Sequence, residues 1–208
     1  MVKIKLAHLT NNMFSYINKI FEFILNEIKS IILYLVLSYP DSRFGKFLRK
    51  KYWSKKLKRN GLNLDIHMHS TIGCPELIEV GENFMLSVNA HITAFGSKGI
   101  YIGDNVGIGR GSYLHASNHI FDSIDIPIRN QGIRSKDISF RDSYYSIIIE
   151  DDVLIGSNVV ILSGTKIGKG SIVSPGSVLS TIYPPYSILV GNPARVSQNR
   201  KQNFNHEK

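Results

Sequence analysis

The sequence has little cysteine: one residue, Cys74, among 208. A single thiol excludes an internal disulfide framework and is typical of a reducing compartment. No group of Cys and His residues has the spacing of a structural zinc site. With 43% hydrophobic residues the composition is that of a folded globular protein, and the length allows one domain with an appendage.

A long hydrophobic run is also missing. The uninterrupted apolar run of the N-terminal segment, residues 31–37, is too short to cross a bilayer, and no signal-peptide cleavage site accompanies it. The stretch before it is broken at spacings that leave one apolar helical face. The interrupting residues are Lys19, Glu22, Asn26, Glu27 and Lys29. We therefore predict one or two amphipathic helices here.

Acidic residues are scarce in the same segment. Residues 1–60 hold 13 Lys or Arg and only three acidic residues, a net charge of +10, whereas the remainder nets −1. This basic segment favours an anionic partner, which we expect to be a membrane surface contacted peripherally. The alternative is that its helices cap the main domain and its lysines are merely solvated. Nucleic acid is not expected, because no nucleic-acid-binding motif accompanies the charge.

What the sequence does contain is a repeat of six residues. An aliphatic residue returns at every sixth position in one long series and two shorter ones. This period fits neither an α-helix nor the two-residue alternation of a simple strand, but it fits a parallel β-helix whose three sides are short strands. The positions are Ile149, Ile155, Ile161, Ile167, Val173 and Leu179; Ile102, Ile108, Leu114 and Ile120; and Val80, Leu86 and Ile92.

The stretch "IIIEDDVLIGSNVVILSGTKIGKGSIVSPGSVLSTIYPPYSILVGNPARV" resembles the hexapeptide-repeat acyltransferases. It is most similar to maltose, galactoside and nodulation-factor O-acetyltransferases and to the polysaccharide O-acetyltransferases. The resemblance covers roughly residues 61–196 and implies a mainly β fold, a left-handed parallel β-helix, working as a homotrimer. We expect a basic helical segment over 1–60, the β-helix over 61–196 with a loop at 121–147, and a polar tail over 197–208.

The repeat breaks off just after a histidine. The next aliphatic position after Ile120 is Ile149, so the chain leaves the wall as a polar, irregular loop of the kind that lines sites. The resemblance implies that the histidine ahead of this loop, His119, is the catalytic base. A neutral imidazole can accept the proton of a sugar hydroxyl at cellular pH. His115 is a second candidate, assigned to the acceptor substrate.

The resemblance also implies positions for the acyl donor, acetyl-CoA. Ser157 would lie beside the pantetheine arm. In "SPGS", Pro175 and Gly176 stand where the family commonly has Ala and Gly, and Pro175 removes one backbone donor. Further cofactor positions are Ser180, Thr181, Lys166 or Lys169, and Arg195, while Asn89 would approach the acceptor sugar.

The resemblance implies an acetyl-CoA-dependent O-acetyltransferase of a saccharide hydroxyl. The acceptor would be a cell-envelope polysaccharide such as lipopolysaccharide or capsule, or a lipid-linked glycan. Direct attack without an acyl-enzyme is expected, because no nucleophile elbow is present, and no metal is required. We expect the protein in the cytoplasm, at the inner face of the membrane if residues 1–60 bind it. The alternatives are a nucleotide-sugar N-acyltransferase, a β-helical zinc lyase and a non-catalytic scaffold.

Overall fold

Short parallel strands wind into a three-sided solenoid. The computed structural model describes residues 2–203, and it divides into two units, residues 1–39 and 40–208. In the second unit, each side of the solenoid is one parallel sheet, and successive turns of the chain add one strand to each sheet in order. The parallel β-helix that the six-residue period predicts is confirmed.

The sheets are called faces A, B and C. Face A contains β1 (Arg59–Asn60), β4 (Ile78–Val80), β7 (Ile100–Ile102), β14 (Ile147–Ile149), β17 (Thr165–Ile167) and β20 (Ile182–Tyr183). Face B contains β2 (Asp65–Ile66), β5 (Met85–Leu86), β8 (Gly107–Ile108), β15 (Leu154–Ile155), β18 (Ile172–Val173), β21 (Ser187–Gly191) and the antiparallel β22 (Ala194–Asn199). Face C contains β3 (Thr71–Gly73), β6 (His91–Thr93), β9 (Tyr113–His115), β16 (Val160–Leu162) and β19 (Val178–Leu179).

The elements outside the three faces are few. Two antiparallel hairpins interrupt the solenoid: β10 (Asn118–His119) with β11 (Ile133–Arg134), and β12 (Ile138–Phe140) with β13 (Ser143–Tyr145). The helices are α1 (Val2–Ser38), α2 (Arg43–Ser54), α3 (Arg200–Asn203) and two short 3-10 turns at Pro75–Leu77 and Ile128–Asn130. Of the predicted tail, 197–203 complete β22 and form α3, and 204–208 lie outside the described residues.

The aliphatic repeat residues form the core of the solenoid. All six positions of the series from Ile149 to Leu179 are at most 1% exposed, and so are the small residues that follow at the second inward position, such as Thr165 and Ser171. Because strands one turn apart pair in register, each aliphatic side chain stacks on its equivalent above and below, as Ile102 does on Ile149. Burial of this column supplies the main stabilisation of the fold.

The corner between faces B and C explains several residue choices. Its third turn residue has a positive φ in every described turn, and the five residues are His69, Asn89, Gly111, Asn158 and Gly176. The turn from Ser174 to Ser177 places Pro175 before Gly176, the pairing that a type II turn favours. Since Gly and Asn tolerate a left-handed backbone best, the sequence places them repeatedly at this corner.

Ile120 differs from the prediction. The six-residue series places it inside the wall, but it is only half buried and its N–H donates to the carbonyl of Gly132 at 3.0 Å. The chain has already left the solenoid at Asn118, and the place next to β7 in face A is taken by β14. The excursion therefore begins three residues before the predicted loop at 121–147.

The first turn of the solenoid is covered by α2. Ser42 caps the helix by accepting from the N–H of Gly45 at 3.1 Å, and Gly45, Arg49 and Trp53 form its buried face. The Arg49 guanidinium is fully buried, donates to the carbonyl of Ile66 at 2.7 Å and pairs with Asp41. For α2, the capping alternative is therefore what the structure shows.

The unit formed by residues 1–39 contains the single helix α1. The described side chains of α1 that are large and apolar are mostly more than 40% exposed within this chain. In the part of the chain that is described, no helix is long and apolar enough to cross a membrane.

Candidate functional site

His119 lies on the hairpin that interrupts the solenoid. It pairs with Ile133 across the β10–β11 ladder, and its side chain is exposed. The hairpin is closed by two hydrogen bonds from the Arg134 guanidinium to the Asp122 carboxylate, at 2.6 and 3.0 Å. Beside the histidine is an open cavity of about 280 Å³, lined by Asn118, His119, Phe121, Arg134, Ser135 and Lys136.

The hairpin is fastened to the corner between faces C and A. The N–H of Lys136 donates to the Ser163 hydroxyl at 2.7 Å, and the methylenes of Lys136 cover Gly164. Further on, the Ser146 hydroxyl donates to the Asp137 carboxylate at 2.6 Å, where the chain rejoins the wall. These contacts hold the cavity of His119 against a rigid part of the solenoid, which is what a catalytic base requires.

A row of rings lies on the outside of face C, leading toward His119. The rings of His91 and Tyr113 are nearly parallel with centroids 5.2 Å apart, and those of Tyr113 and His115 are 5.5 Å apart. The Tyr113 hydroxyl is hydrogen-bonded to His115 Nδ1 at 2.8 Å, and the hydroxyl of Thr71 is bonded to the other end of the row at His91 Nδ1. His115 is thus a partly buried member of this row.

Burial lowers the pKa of His115, and the nearby His119 lowers it further. Burial likewise lowers the pKa of His91, with a smaller contribution from His115. Both shifts favour the uncharged imidazole, so the row is neutral at cellular pH and presents hydrogen-bonding groups rather than positive charge.

These pKa shifts predict a loss of stability in mild acid. Because the unfolded chain binds protons at His91 and His115 more readily than the folded protein does, stability is greatest above about pH 6.5, the ordinary histidine pKa. It should fall as the pH drops through that value and level off below the depressed folded pKa values. The unfolding temperature measured from about pH 8 to about pH 5 tests this. The double variant His91→Gln, His115→Gln should show a smaller decline, and an equal decline would contradict the assignment.

Three residues predicted to bind acetyl-CoA come together at the corner between faces B and C. They are Ser157, Pro175 and Gly176. The N–H of Gly176 donates to the carbonyl of Ser157 at 2.9 Å, so the two turns stack directly. Pro175 is exposed and lies against Gly156, where an added Cβ would come within 2.7 Å of the Pro175 nitrogen. Asn89 occupies the same corner two turns before Asn158.

The other predicted residues are elsewhere. Ser180 and Thr181 are exposed at the corner between faces C and A, the corner to which the His119 hairpin is fastened. Lys166 is on face A, where its ammonium pairs with Glu150 at 3.0 Å and lies 4.9 Å from the Phe140 ring centroid. Arg195 is exposed on β22, opposite Val190, and Lys169 follows face A. The proposed phosphate-binding cations are therefore not gathered at one place in a single chain.

Sequence reasoning missed four residues that the structure places in the His119 cavity or in the ring row. Arg134 and Lys136 line the His119 cavity, and His91 and Tyr113 belong to the ring row. His91 and Tyr113 occupy the same outward position on successive turns, so their stacking could have been inferred from the register of the repeat. Arg134 and Lys136 carry no such signal, because they belong to the irregular segment.

Comparison with known proteins agrees with this architecture. Residues 146–181 match the family model of the bacterial transferase hexapeptide (six repeats). A hexapeptide-repeat-containing acetyltransferase of Vibrio cholerae, solved with acetyl coenzyme A, superposes with a TM-score of 0.65 at 25% identity, over 80% of this chain and 82% of the other. The fold is that of the hexapeptide-repeat acetyltransferases. This confirms the resemblance that the repeat predicts.

Two further proteins are similar to this chain, one by structure and one by sequence. A galactoside acetyltransferase in complex with coenzyme A has a TM-score of 0.68 at 24% identity, covering 85% of this chain and 80% of the other. A protein of Mycobacterium tuberculosis described as a "probable acetyltransferase" is 28% identical over 76% of this chain. This chain spans only 57% of that relative's length. Among the residues described here, no group of three His, Cys, Asp or Glu side chains is placed to hold a metal ion.

Proposed function

We propose that the protein transfers the acetyl group of acetyl-CoA to a hydroxyl of a saccharide. The observation that carries this proposal is the position of His119, exposed beside a cavity on a hairpin fastened to a hexapeptide-repeat solenoid. Relatives with this fold are acetyltransferases, some of them solved with acetyl-CoA or CoA. The galactoside acetyltransferase among them acts on a sugar by name, which supports a saccharide acceptor.

In the proposed mechanism His119 acts as a general base. Its imidazole takes the proton of the acceptor hydroxyl as that oxygen attacks the thioester carbonyl. The tetrahedral intermediate then expels the CoA thiolate, which receives the proton back from the imidazolium. The acetyl group is thereby moved from sulfur to oxygen with no net change in protons or electrons. Backbone N–H groups at a solenoid corner are suited to stabilise the oxyanion.

The split of the candidate residues between two corners supports an assembly. Ser157, Pro175, Gly176 and Asn89 are at one edge of face C, whereas His119, Ser180 and Thr181 are at the other. On one chain these two edges are separated by the width of face C, roughly 13 Å for the four residues from Gly176 to Ser180 at about 3.3 Å per residue, so one reacting group cannot contact both edges. We propose a homotrimer in which the edge of one protomer meets the opposite edge of its neighbour, so that each groove is complete.

The acceptor we propose is a glycan of the cell envelope, in polymer or lipid-linked form, met on the cytoplasmic side of the membrane. The ring row of His91, Tyr113 and His115 offers such an acceptor aromatic faces and neutral hydrogen-bonding groups close to His119.

The test is release of free CoA from acetyl-CoA in the presence of a panel of acceptors. The panel contains maltose, galactosides, envelope polysaccharide fragments, lipid-linked glycans and an amino sugar nucleotide. CoA release with a hydroxyl acceptor, and an acetyl ester found by mass spectrometry, would support the proposal. Reaction of the amine acceptor alone would assign the protein to N-acylation. Absence of CoA release with every acceptor, in protein that binds acetyl-CoA, would count against saccharide O-acetylation.

A further inference from the structure

The outer face of α2 is held in a fixed orientation. On the inner face the buried Arg49 donates to the carbonyl of Ile66 and pairs with Asp41, and Asp41 also bonds His67 Nδ1 at 3.0 Å. Lys46 adds a bond to Asp65 at 2.8 Å. Because these contacts connect α2 to the first turn of the solenoid, the residues on its opposite side always point away from the solenoid.

That opposite side carries two exposed aromatic rings. Phe44 and Phe47 are each 55% exposed, and their ring centroids are 6.5 Å apart with the planes 26° from parallel. The ammonium of Lys51 lies 5.9 Å from the Phe47 centroid. Exposing this much of two neighbouring phenyl rings to water is unfavourable, so the pair is suited to an apolar or interfacial environment.

Lys51 also lines a cavity that contains two further lysines. The α2 segment, residues 43–54, contains no acidic residue, and its outer surface continues into an open cavity of about 440 Å³. The lining residues are Leu48, Lys51, Tyr52, Lys55 and Lys56. Three ammonium groups around an open, partly apolar cavity attract a compact anion with an attached apolar group, which is the chemistry of an acidic phospholipid.

The helix before α2 has a wide apolar surface. Exposed apolar residues of α1 recur at alternating spacings of three and four, and they include Phe14, Ile17, Phe21, Ile24 and Ile28. An amphipathic helix with this pattern, next to a basic segment, is typical of proteins that lie in the membrane interface. The charge of +10 over residues 1–60 matches the negative potential of such a surface.

We propose that the outer face of α2 docks on an anionic lipid bilayer. Phe44 and Phe47 enter the headgroup region, and the lysines of the neighbouring cavity bind lipid phosphates. The solenoid and the His119 cavity then lie at a fixed distance above the lipid, which suits an acceptor carried on a lipid. The docking itself does not depend on the proposed acetyl transfer.

The experiment is co-sedimentation of the full chain with vesicles of phosphatidylcholine alone or with phosphatidylglycerol. The wild-type protein should bind the anionic vesicles, and high salt should weaken this binding. The variant Lys51→Glu, Lys55→Glu, Lys56→Glu should bind about tenfold more weakly or worse, since each basic residue contributes near an anionic surface. Phe44→Ser, Phe47→Ser should weaken binding without changing its salt dependence.

A matched control has the same charge change outside residues 1–60: Lys98→Glu, Arg129→Glu, Lys201→Glu. It should retain most of the wild-type binding, and circular dichroism should show every variant folded. Equal binding by the α2 variants and the wild type would overturn the proposal. So would equal binding to both kinds of vesicle. Self-association in solution that the phenylalanine substitutions abolish would overturn it as well, by assigning this face to a second copy of the chain.

Discussion

Replacing His119 by alanine is expected to reduce the rate of acetyl transfer by about 10²- to 10⁴-fold, the usual contribution of a general base. The imidazole of His119 is exposed on β10, so the substitution should leave folding and acetyl-CoA binding intact. Steady-state kinetics with acetyl-CoA and a reactive saccharide measure this effect. The loss should appear in kcat, and the affinity for acetyl-CoA measured by calorimetry should stay the same.

The matched control is His69→Asn. His69 is also exposed, and it lies at a solenoid corner with a φ of +59°, a backbone conformation that asparagine tolerates. This variant should keep full activity. If His119→Ala transfers acetyl groups at the wild-type rate, the proposed base is wrong, even though the fold and the acyl donor would stand.

Replacing Arg49 by alanine is expected to lower the free energy of unfolding by about 3–5 kcal/mol, the usual effect of breaking a buried ion pair by removing one partner. The guanidinium is fully buried, and its loss leaves the Ile66 carbonyl and the Asp41 carboxylate without this donor. Since α2 covers the first turn of the solenoid, the damage should begin at that end. Chemical denaturation followed by circular dichroism measures the change, and hydrogen exchange locates it.

Lys46→Ala provides the comparison. Lys46 pairs with Asp65 across the same junction, but both side chains are more than a third exposed, so its removal should cost less than about 1 kcal/mol. Similar losses of unfolding free energy for Lys46→Ala and Arg49→Ala would contradict the expectation that burial decides how strongly each residue stabilises the contact between α2 and the solenoid.

The solenoid was predictable because its signal is repeated. Each of Ile149, Ile155 and Ile161 makes the same demand, an aliphatic side chain facing inward after six residues, and no helix or flat sheet satisfies that period. The corner residues follow the same rule, since the left-handed backbone at Asn158 and Gly176 recurs on every turn. Such features are local and periodic, so a single sequence contains them.

The remaining features depend on contacts between residues that are distant in sequence. Arg49 reads as one more basic residue of a charged run, and only its pairing with Asp41 and Ile66 makes it a buried anchor. Lys136 likewise belongs to an irregular segment, yet its N–H bond to Ser163 fastens the candidate site to the wall. The break in the repeat indicated where the chain leaves the wall, but it put His119 ahead of the excursion, whereas the structure places His119 on the first strand of a hairpin outside the wall.

The pairing of β7 with β14 has a consequence for how such proteins diversify. Ile102 and Ile149 pair in adjacent strands of face A, so the segment between β9 and β14 leaves the solenoid and rejoins it without interrupting this sheet. Mutations that lengthen, shorten or replace this segment leave the pairing of β7 with β14 in place. Proteins with this fold can therefore differ in this segment while they share the same solenoid.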